Sequence, residues 1–485
     1  MNALLLLQSG AGNLAAYLAA HVLLCLVPAF FIAGALSALV PKESITRLLG
    51  RHAPKYLSYP AAAAAGSVLA VCSCTIVPLF AGIYKKGAGL GPAITFLFFA
   101  PAGNILALSY TGVAIGPDIA FARLFLSLAF GIGIGMIMAL IFSRSDEAHD
   151  QGEDVAFAGR GKMRGAALLL LLALAGLLLA GTLKLDVLNR SWASLTLPIS
   201  GTYAIQAWLD ALVPSDPTRG KEGLSIQGVI LIGLLGAIGL AAWLGLDRRT
   251  DPDNPWMQAL LALVIVTLSV AATRWVPGPS GLTIELPGRL GAVALLLAAA
   301  AWLGLRKLDS YERQEWLWES WRFVKQIFPL LVVGVFVVGV LRELIQPEWI
   351  QALAGANTVI ANMTGVLFGV FMYFPTLVEV PIANMFLDLG MHRGPLLAYL
   401  MADPELSLQS ILMITAVIGR ARTWTYVAWV AVFSTLAGLI YGSWVDGAGL
   451  AGIALMLAAF LAALSGVLWL VARSNHRHPI PLPPR

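Results

Sequence analysis

Few side chains in this sequence can do chemistry, and most of them stand in apolar surroundings. Cys72, Ser73, Cys74 and Thr75 precede Pro78, while Pro375 and Glu379 precede Pro381 and Asn384. Thiolates select soft metals and metalloids. Residues two apart on an intact helix point to different faces, so Cys72 and Cys74 can share one ligand only where the helix is unwound. Proline removes the donor to the carbonyl four residues earlier and opens the helix there. Pro78 thus frees the carbonyl of Cys74, Pro381 that of Leu377 and Pro375 that of Phe371, and Pro101 and Pro404 act likewise in the next apolar segments. An ionisable group at mid-membrane costs roughly 2.5–3.5 kcal/mol on insertion scales and marks function by default. Glu379 and Asp403 are read in that way, as a candidate proton-coupling pair, with a structural ion pair as the alternative for Glu379. A carboxyl held in low dielectric accepts a proton more readily than one in water. Glu405 reads equally as a group solvated in a cavity, and Arg123 as a side chain snorkelling to the interface. His21 and Cys25, four apart, either extend a soft site or pack. The candidate substrate-binding set is Cys72, Ser73, Cys74, Thr75, Pro78, Asn104, Pro375, Glu379, Pro381 and Asn384.

These residues are positioned by a chain of 485 residues that is 59% hydrophobic and only 12% charged. Soluble domains carry about 25% charged residues, so a soluble enzyme, a disordered chain and a nucleic-acid binder are excluded. The three cysteines are too few and too apolar in context for a disulfide framework. Counting segments of about 20 apolar residues gives about 12–13 transmembrane helices. Candidate spans are 14–40, 60–84, 91–114, 118–142, 165–183, 225–246, 257–275, 287–305, 327–345, 359–387, 394–419, 423–445 and 448–472. The fold class is an all-α polytopic membrane protein, because only helices or closed barrels satisfy the backbone in lipid. Lys85, Lys86, Arg144, Lys162, Arg164, Arg248, Arg249, Arg306 and Lys307 fall on one side, which positive-inside makes cytoplasmic. Residues 306–326 read as an interfacial helix. The segment 394–419 either spans or is re-entrant around Pro404.

A shift of 303 residues superposes one set of helix punctuators on another. Pro78, Gly87, Gly91, Pro92, Pro101, Gly116 and Gly135 meet Pro381, Gly390, Gly394, Pro395, Pro404, Gly419 and Gly438. Chance matching of 48 glycines and 26 prolines in 485 residues produces far fewer coincidences. Duplication follows, and repeats are the common build of transporters. The division is 14–142 first permease repeat, 143–164 cytoplasmic linker, and 165–322 spacer helices with an extracytoplasmic loop at 184–224. The second permease repeat is 323–446, and 447–485 is an extra helix and tail. Under this shift Glu379 falls on Ile76, beside Cys74, and a pseudo-twofold axis brings the acid and the thiols together.

The run CSCTIVPLFAGIYKKGAGLGPAITFLFFAPAGNILALSYTG at 72–112 resembles the predicted-permease family of the YraQ and ArsP type, as does YFPTLVEVPIANMFLDLGM at 373–391. The resemblance covers 14–142 and 323–446. It implies a permease, and for some members efflux of trivalent organoarsenicals through a membrane-embedded cysteine. Carried over by motif position, Cys72 and Cys74 are the thiol candidates, holding a metalloid only as substrate, with Glu379 in the matching motif.

The expected function is a secondary-active permease of the cytoplasmic (inner) membrane that exports a small thiophilic solute in exchange for protons. Nothing matches the phosphate-binding GxxxxGK[ST] pattern. No cofactor and no catalytic residue is expected. Its partners are the lipid bilayer and a small solute, not nucleic acid, and self-association is left open. The alternatives are a channel-like or hydrophobic-solute permease with packing cysteines, an intramembrane thiol-redox protein, and a non-catalytic scaffold.

Overall fold

The computed structural model describes residues 3–20, 22–51, 53–68, 73–143, 165–183, 186–215, 223–247, 255–279, 281–342, 348–371 and 376–477. Among them nine helices are long and apolar enough to cross a bilayer. Two bent helix pairs and two shorter apolar helices, Thr75–Lys85 and Val359–Phe371, account for the remaining hydropathy segments. The protein is an all-α polytopic membrane protein, as lipid demands of a backbone that must satisfy its own hydrogen bonds. The chain divides into two compact units.

The first unit comprises Met1–Ser44, Leu69–Lys86 and Gly161–Leu344. It opens with α1 (Ala3–Ala20), a π-helical turn at Val22–Leu26 and α2 (Val27–Leu39). After α3 (Lys42–Leu49) and α4 (Lys55–Val68), which pass into the second unit, it continues with α5 (Ser73–Lys85). The long helix of this unit is Ser310–Arg342, and it lies along the two opening helices. Asn13 Nδ2 donates to the carbonyl of Val335 at 2.9 Å, and Trp316 Nε1 to that of Phe31 at 2.8 Å. Arg306 ends the preceding helix, and from Ser310 on the expected interfacial helix at 306–326 is the polar first half of one continuous helix. Its amphiphilic turns extend an apolar span because no cap or helix breaker separates them before Pro329, which stays inside the helix.

The loop expected at 184–224 holds regular structure. Strand β1 (Ser191–Leu197) pairs with a hairpin, giving a three-stranded antiparallel sheet in which β3 (Gly281–Pro287) lies between β1 and β2 (Arg274–Gly278). Ser194 pairs with Glu285, and Thr196 Oγ1 lies 3.1 Å from Thr283 Oγ1. Strand β1 ends at Leu197 and the hairpin begins only at Arg274, so alternation in either one alone could not announce the pairing.

The second unit comprises Ile45–Val68, Gly87–Arg160 and Ile345–Arg485. Its first group continues from α4 with α6 (Leu90–Ala102), α7 (Ile105–Ala114) and α8 (Pro117–Ile141). The first unit then supplies α9 (Gly165–Thr182), α10 (Asp186–Asn189), α11 (Thr202–Leu212), α12 (Ile226–Ala242), α13 (Pro255–Ala272), α14 (Gly288–Arg306) and the long helix, α15. The second unit resumes with α16 (Glu348–Ala354), α17 (Val359–Phe371), α18 (Thr376–Asp388), α19 (Arg393–Leu406), α20 (Leu408–Ile418), α21 (Arg420–Val445) and α22 (Leu450–Arg477).

Element starts recur at a fixed separation. Leu90 and Arg393, Ile105 and Leu408, and Pro117 and Arg420 are each 303 residues apart. Close approaches recur with them. A Cβ at Gly135 would lie 2.6 Å from the carbonyl oxygen of Gly91, and one at Gly438 would lie 2.6 Å from that of Gly394. A Cβ at Gly66 would sit 3.0 Å from the backbone nitrogen of Ala100, and one at Gly369 would sit 2.8 Å from that of Asp403. Close backbone crossings of this kind are what small residues allow in membrane bundles. Gly87 and Gly390 have φ near +83° and +89° just beyond α5 and α18, the left-handed conformation that commonly ends a helix.

Candidate functional site

The site lies within the second unit and starts from the break between α6 and α7. Helix α6 ends at Ala102, one residue past Pro101, and Asn104 begins the next helix. The Asn104 carboxamide holds the break from both sides. Its Oδ1 accepts from the Ala107 amide at 2.8 Å, and its Nδ2 donates to the carbonyls of Ala100 and Pro101 at 3.1 Å. Asn104 is thus an N-cap that also answers carbonyls of the preceding helix end. The carbonyl of Ala102 is taken by Arg123, whose Nε donates to it at 2.9 Å from α8. A helix C-terminus carries partial negative charge, so the guanidinium meets a complementary end.

Arg123 then reaches two more partners. Its Nη1 donates to Thr111 Oγ1 at 3.2 Å, while that hydroxyl donates to the Ala107 carbonyl at 2.7 Å. Its Nη2 faces the Glu379 carboxylate, 3.1 Å from Oε1 and 3.3 Å from Oε2. Both side chains are fully buried. Glu379 occupies the first turn of α18, where the positive end of the helix dipole favours a carboxylate. The pair is therefore bracketed by the end of α6 on the cationic side and the start of α18 on the anionic side. Asn384, further along α18, donates to the carbonyl of Ala114 at 3.0 Å and fastens α18 to α7.

An equivalent contact occurs 303 residues later. Tyr426 corresponds to Arg123, and Glu405 to Ala102. The Tyr426 hydroxyl donates to Glu405 Oε2 at 2.6 Å, and both residues are buried. Glu405 and Glu379 interact electrostatically. Asp403, just before Pro404 on α19, is buried with its backbone against Gly369. Towards the ends of α8 and α19, Arg393 Nη1 lies 2.6 Å from Asp118 Oδ2, which also accepts from Tyr441 at 2.7 Å.

Several expectations change. Arg123 does not snorkel, because three hydrogen-bonding partners inside the bundle outweigh what the interface offers. Pro101 and Pro404 lie inside their helices, and the discontinuities fall at Gly103–Asn104, where Asn104 caps α7, and at Ser407. The segment 393–418 bends by 46° there. Likewise α5 is helical from Ser73 through Pro78, and α18 through Pro381, so the backbone from Ser73 to Pro78 is not unwound.

Of the remaining candidates, Ser73 and Cys74 stand in the first turn of α5. Thr75 is buried, with its Oγ1 2.7 Å from Cys25 Sγ in the first unit. Cys72, Pro375 and His21 lie outside the described residues. Thr111, Tyr426, Gln409 and the Asp118–Arg393–Tyr441 cluster were not singled out from sequence. An Arg and a Glu, each deep in an otherwise apolar stretch, were the one available signal for pairing.

Many apolar helices enclosing a buried charge cluster define a multi-pass membrane protein of the permease class. The chain belongs to the predicted permease family (ArsP_1), whose match covers residues 8–443 and so includes the stretch between the two motif regions. The UPF0718 protein MJ0584 of Methanocaldococcus jannaschii is 30% identical over 88% of this chain and 93% of its own length. The UPF0718 protein YcgR of Bacillus subtilis is 29% identical over 23% of this chain and 38% of its own. The UPF0718 protein YraQ of Escherichia coli is 28% identical over 24% of this chain and 34% of its own. No solved structure matches the chain.

Proposed function

We propose that this permease is a secondary-active exporter of the cytoplasmic membrane, built from two copies of one repeat. Its cargo is a small thiophilic solute such as a trivalent organoarsenical or soft metalloid. The thiols of Cys72 and Cys74 in the first copy bind the solute. Glu379 in the second copy, released from Arg123, takes up the exchanged proton, with Asp403 as its companion. The repeat reading is supported by the 303-residue recurrence of helix starts and glycine crossings.

The observation that carries the transport mechanism is the Arg123–Glu379 pair. A buried ion pair contributes little net stability against apolar packing, so a bundle that needed only to fold would do as well without one. A proton on Glu379 cancels its attraction to Arg123 and frees α18 to move relative to α8. That is a two-state element in which charge and geometry change together.

The test uses a deletion strain and inverted membrane vesicles. Loss of the gene is expected to raise sensitivity to trivalent organoarsenicals or soft metals, and Cys72→Ser or Cys74→Ser to reproduce that loss. Glu379→Gln is expected to abolish proton-driven solute uptake into inverted vesicles while the protein still inserts. Unchanged tolerance in all three variants would remove the cargo and coupling assignments together.

A further inference from the structure

The break between α19 and α20 holds a second carboxyl that the Arg123–Glu379 pair does not neutralise. Glu405 stands one residue before the end of α19 and is 1% exposed. Its Oε2 accepts from Tyr426, whereas its Oε1 has no hydrogen-bond partner among the described residues. Gln409, in the first turn of α20 across the break, is fully buried, and both its Oε1 and its Nε2 also lack a partner among those residues. Buried polar groups are normally satisfied, and each exception calls for an explanation.

The local charge sharpens the point. Glu405 feels the like charge of Glu379, and no Lys, Arg or His among the described residues is ion-paired with it. The other ionisable groups on the helices around it are Arg420, Arg422, Tyr426 and Tyr441 of α21, Glu379 and Asp388 of α18, and Arg123 and Asp118 of α8. On α19 itself they are Arg393, Tyr399 and Asp403. Helices α6, α17 and α20 carry none. Arg123 is engaged by Glu379, and Arg393 by Asp118. The last four carbonyls of α19 have no intrahelical donor, and half-helix C-terminal ends in membranes coordinate the coupling Na⁺ or H⁺ of transporters.

We infer that the α19–α20 break is a loading site for one monovalent cation, with Glu405 as its charge and Gln409 as its neutral oxygen donor. Tyr426 holds the carboxylate in place through Oε2 and leaves Oε1 for the cation. The inference rests on the secondary-active reading and adds a coupling-ion position to it, separate from the Arg123–Glu379 pair but electrostatically linked to it. The shared chemistry is one positive charge on an oxygen set, and its source is either a proton or Na⁺.

The experiment uses the full chain in lipid nanodiscs with no solute present. ²²Na⁺ binding is measured at fixed pH, and the infrared C=O stretch of a protonated carboxyl is followed across a pH step without Na⁺. The wild type is expected to load one cation at this break, apart from any proton on Glu379. A ²²Na⁺ signal assigns the source to Na⁺, and a carboxyl band lost in Glu405→Gln but kept in Glu379→Gln, without ²²Na⁺ binding, assigns it to the proton. Glu405→Gln is expected to remove that signal, Gln409→Leu to weaken loading at least about tenfold, or ~1.4 kcal/mol, and Glu379→Gln to retain it. Where Glu405→Gln fails to fold, Gln409→Leu and Tyr426→Phe carry the same comparison. Loading unchanged in Glu405→Gln and Gln409→Leu, or no loading by the wild type in either arm, overturns the site. Loading without any solute flux coupled to that cation would leave the site standing and remove the permease mechanism instead.

Discussion

Replacing Arg123 by Met tests the energetic reading of the buried pair most directly. Removing one partner of a buried ion pair leaves an uncompensated charge and costs about 3–5 kcal/mol. The same change leaves the Ala102 carbonyl without its donor, for a further cost of about 1–3 kcal/mol. Arg123→Met alone should therefore lose roughly 4–8 kcal/mol. Adding Glu379→Leu removes the stranded carboxylate, so the double variant should recover the larger part and remain about 1–3 kcal/mol below wild type. The assay is the unfolding midpoint of detergent-solubilised protein for wild type, both single variants and the double variant, analysed as a double-mutant cycle. A coupling close to zero, with the double variant as unstable as the sum of the singles, would refute the argument. It would mean that Glu379 is neutralised by something other than Arg123.

Two more outcomes follow from local geometry. Gly135→Val and Gly438→Val should each cost about 1–3 kcal/mol, because their Cβ atoms would meet backbone carbonyls of the facing helix. Gly236→Ala, with open space around its Cβ, should be neutral or slightly stabilising, and thermal unfolding in detergent separates the two classes. Asn104→Ala should lower stability by about 0.5–2 kcal/mol through loss of the α7 cap, with Asn104→Asp recovering part of it, read in the same assay.

Hydropathy alone located the apolar segments, and the 303-residue shift matched seven Gly and Pro positions. Both signals are local or periodic, so a single sequence carries them. The partners of Arg123 are neither. Glu379 lies 256 residues away, and its meeting with Arg123 depends on how helices pack, which no spacing rule expresses. The breaks after Pro101 and Pro404 were legible to within a few residues, whereas those expected at Pro78 and Pro381 are absent from α5 and α18. Proline marks where a helix is weakened, but the actual end is set by the residue that can cap it, and here Asn104 is that residue. The sheet was illegible for a related reason, since β1 finds its partner only after α11, α12 and α13 have folded back. Gln409 gave no signal at all. A lone Gln in an apolar segment becomes informative only when its surroundings are known to contain nothing that answers it.

Helix α15 has 33 residues, which is about 50 Å at ~1.5 Å per residue. That is roughly 20 Å more than the ~30 Å of hydrocarbon it crosses. The surplus falls toward the first turns, which bear Glu312, Arg313 and Glu315; beyond them Trp316 and Glu319 are already bonded to Phe31 and Ser37 of α2. A rocking of α15 by about 5° would carry its first turn through about 2 Å over the ~20 Å of surplus length. A spin label or fluorophore at Ser310 would therefore report motion of this unit in water, without touching any residue inside the bilayer.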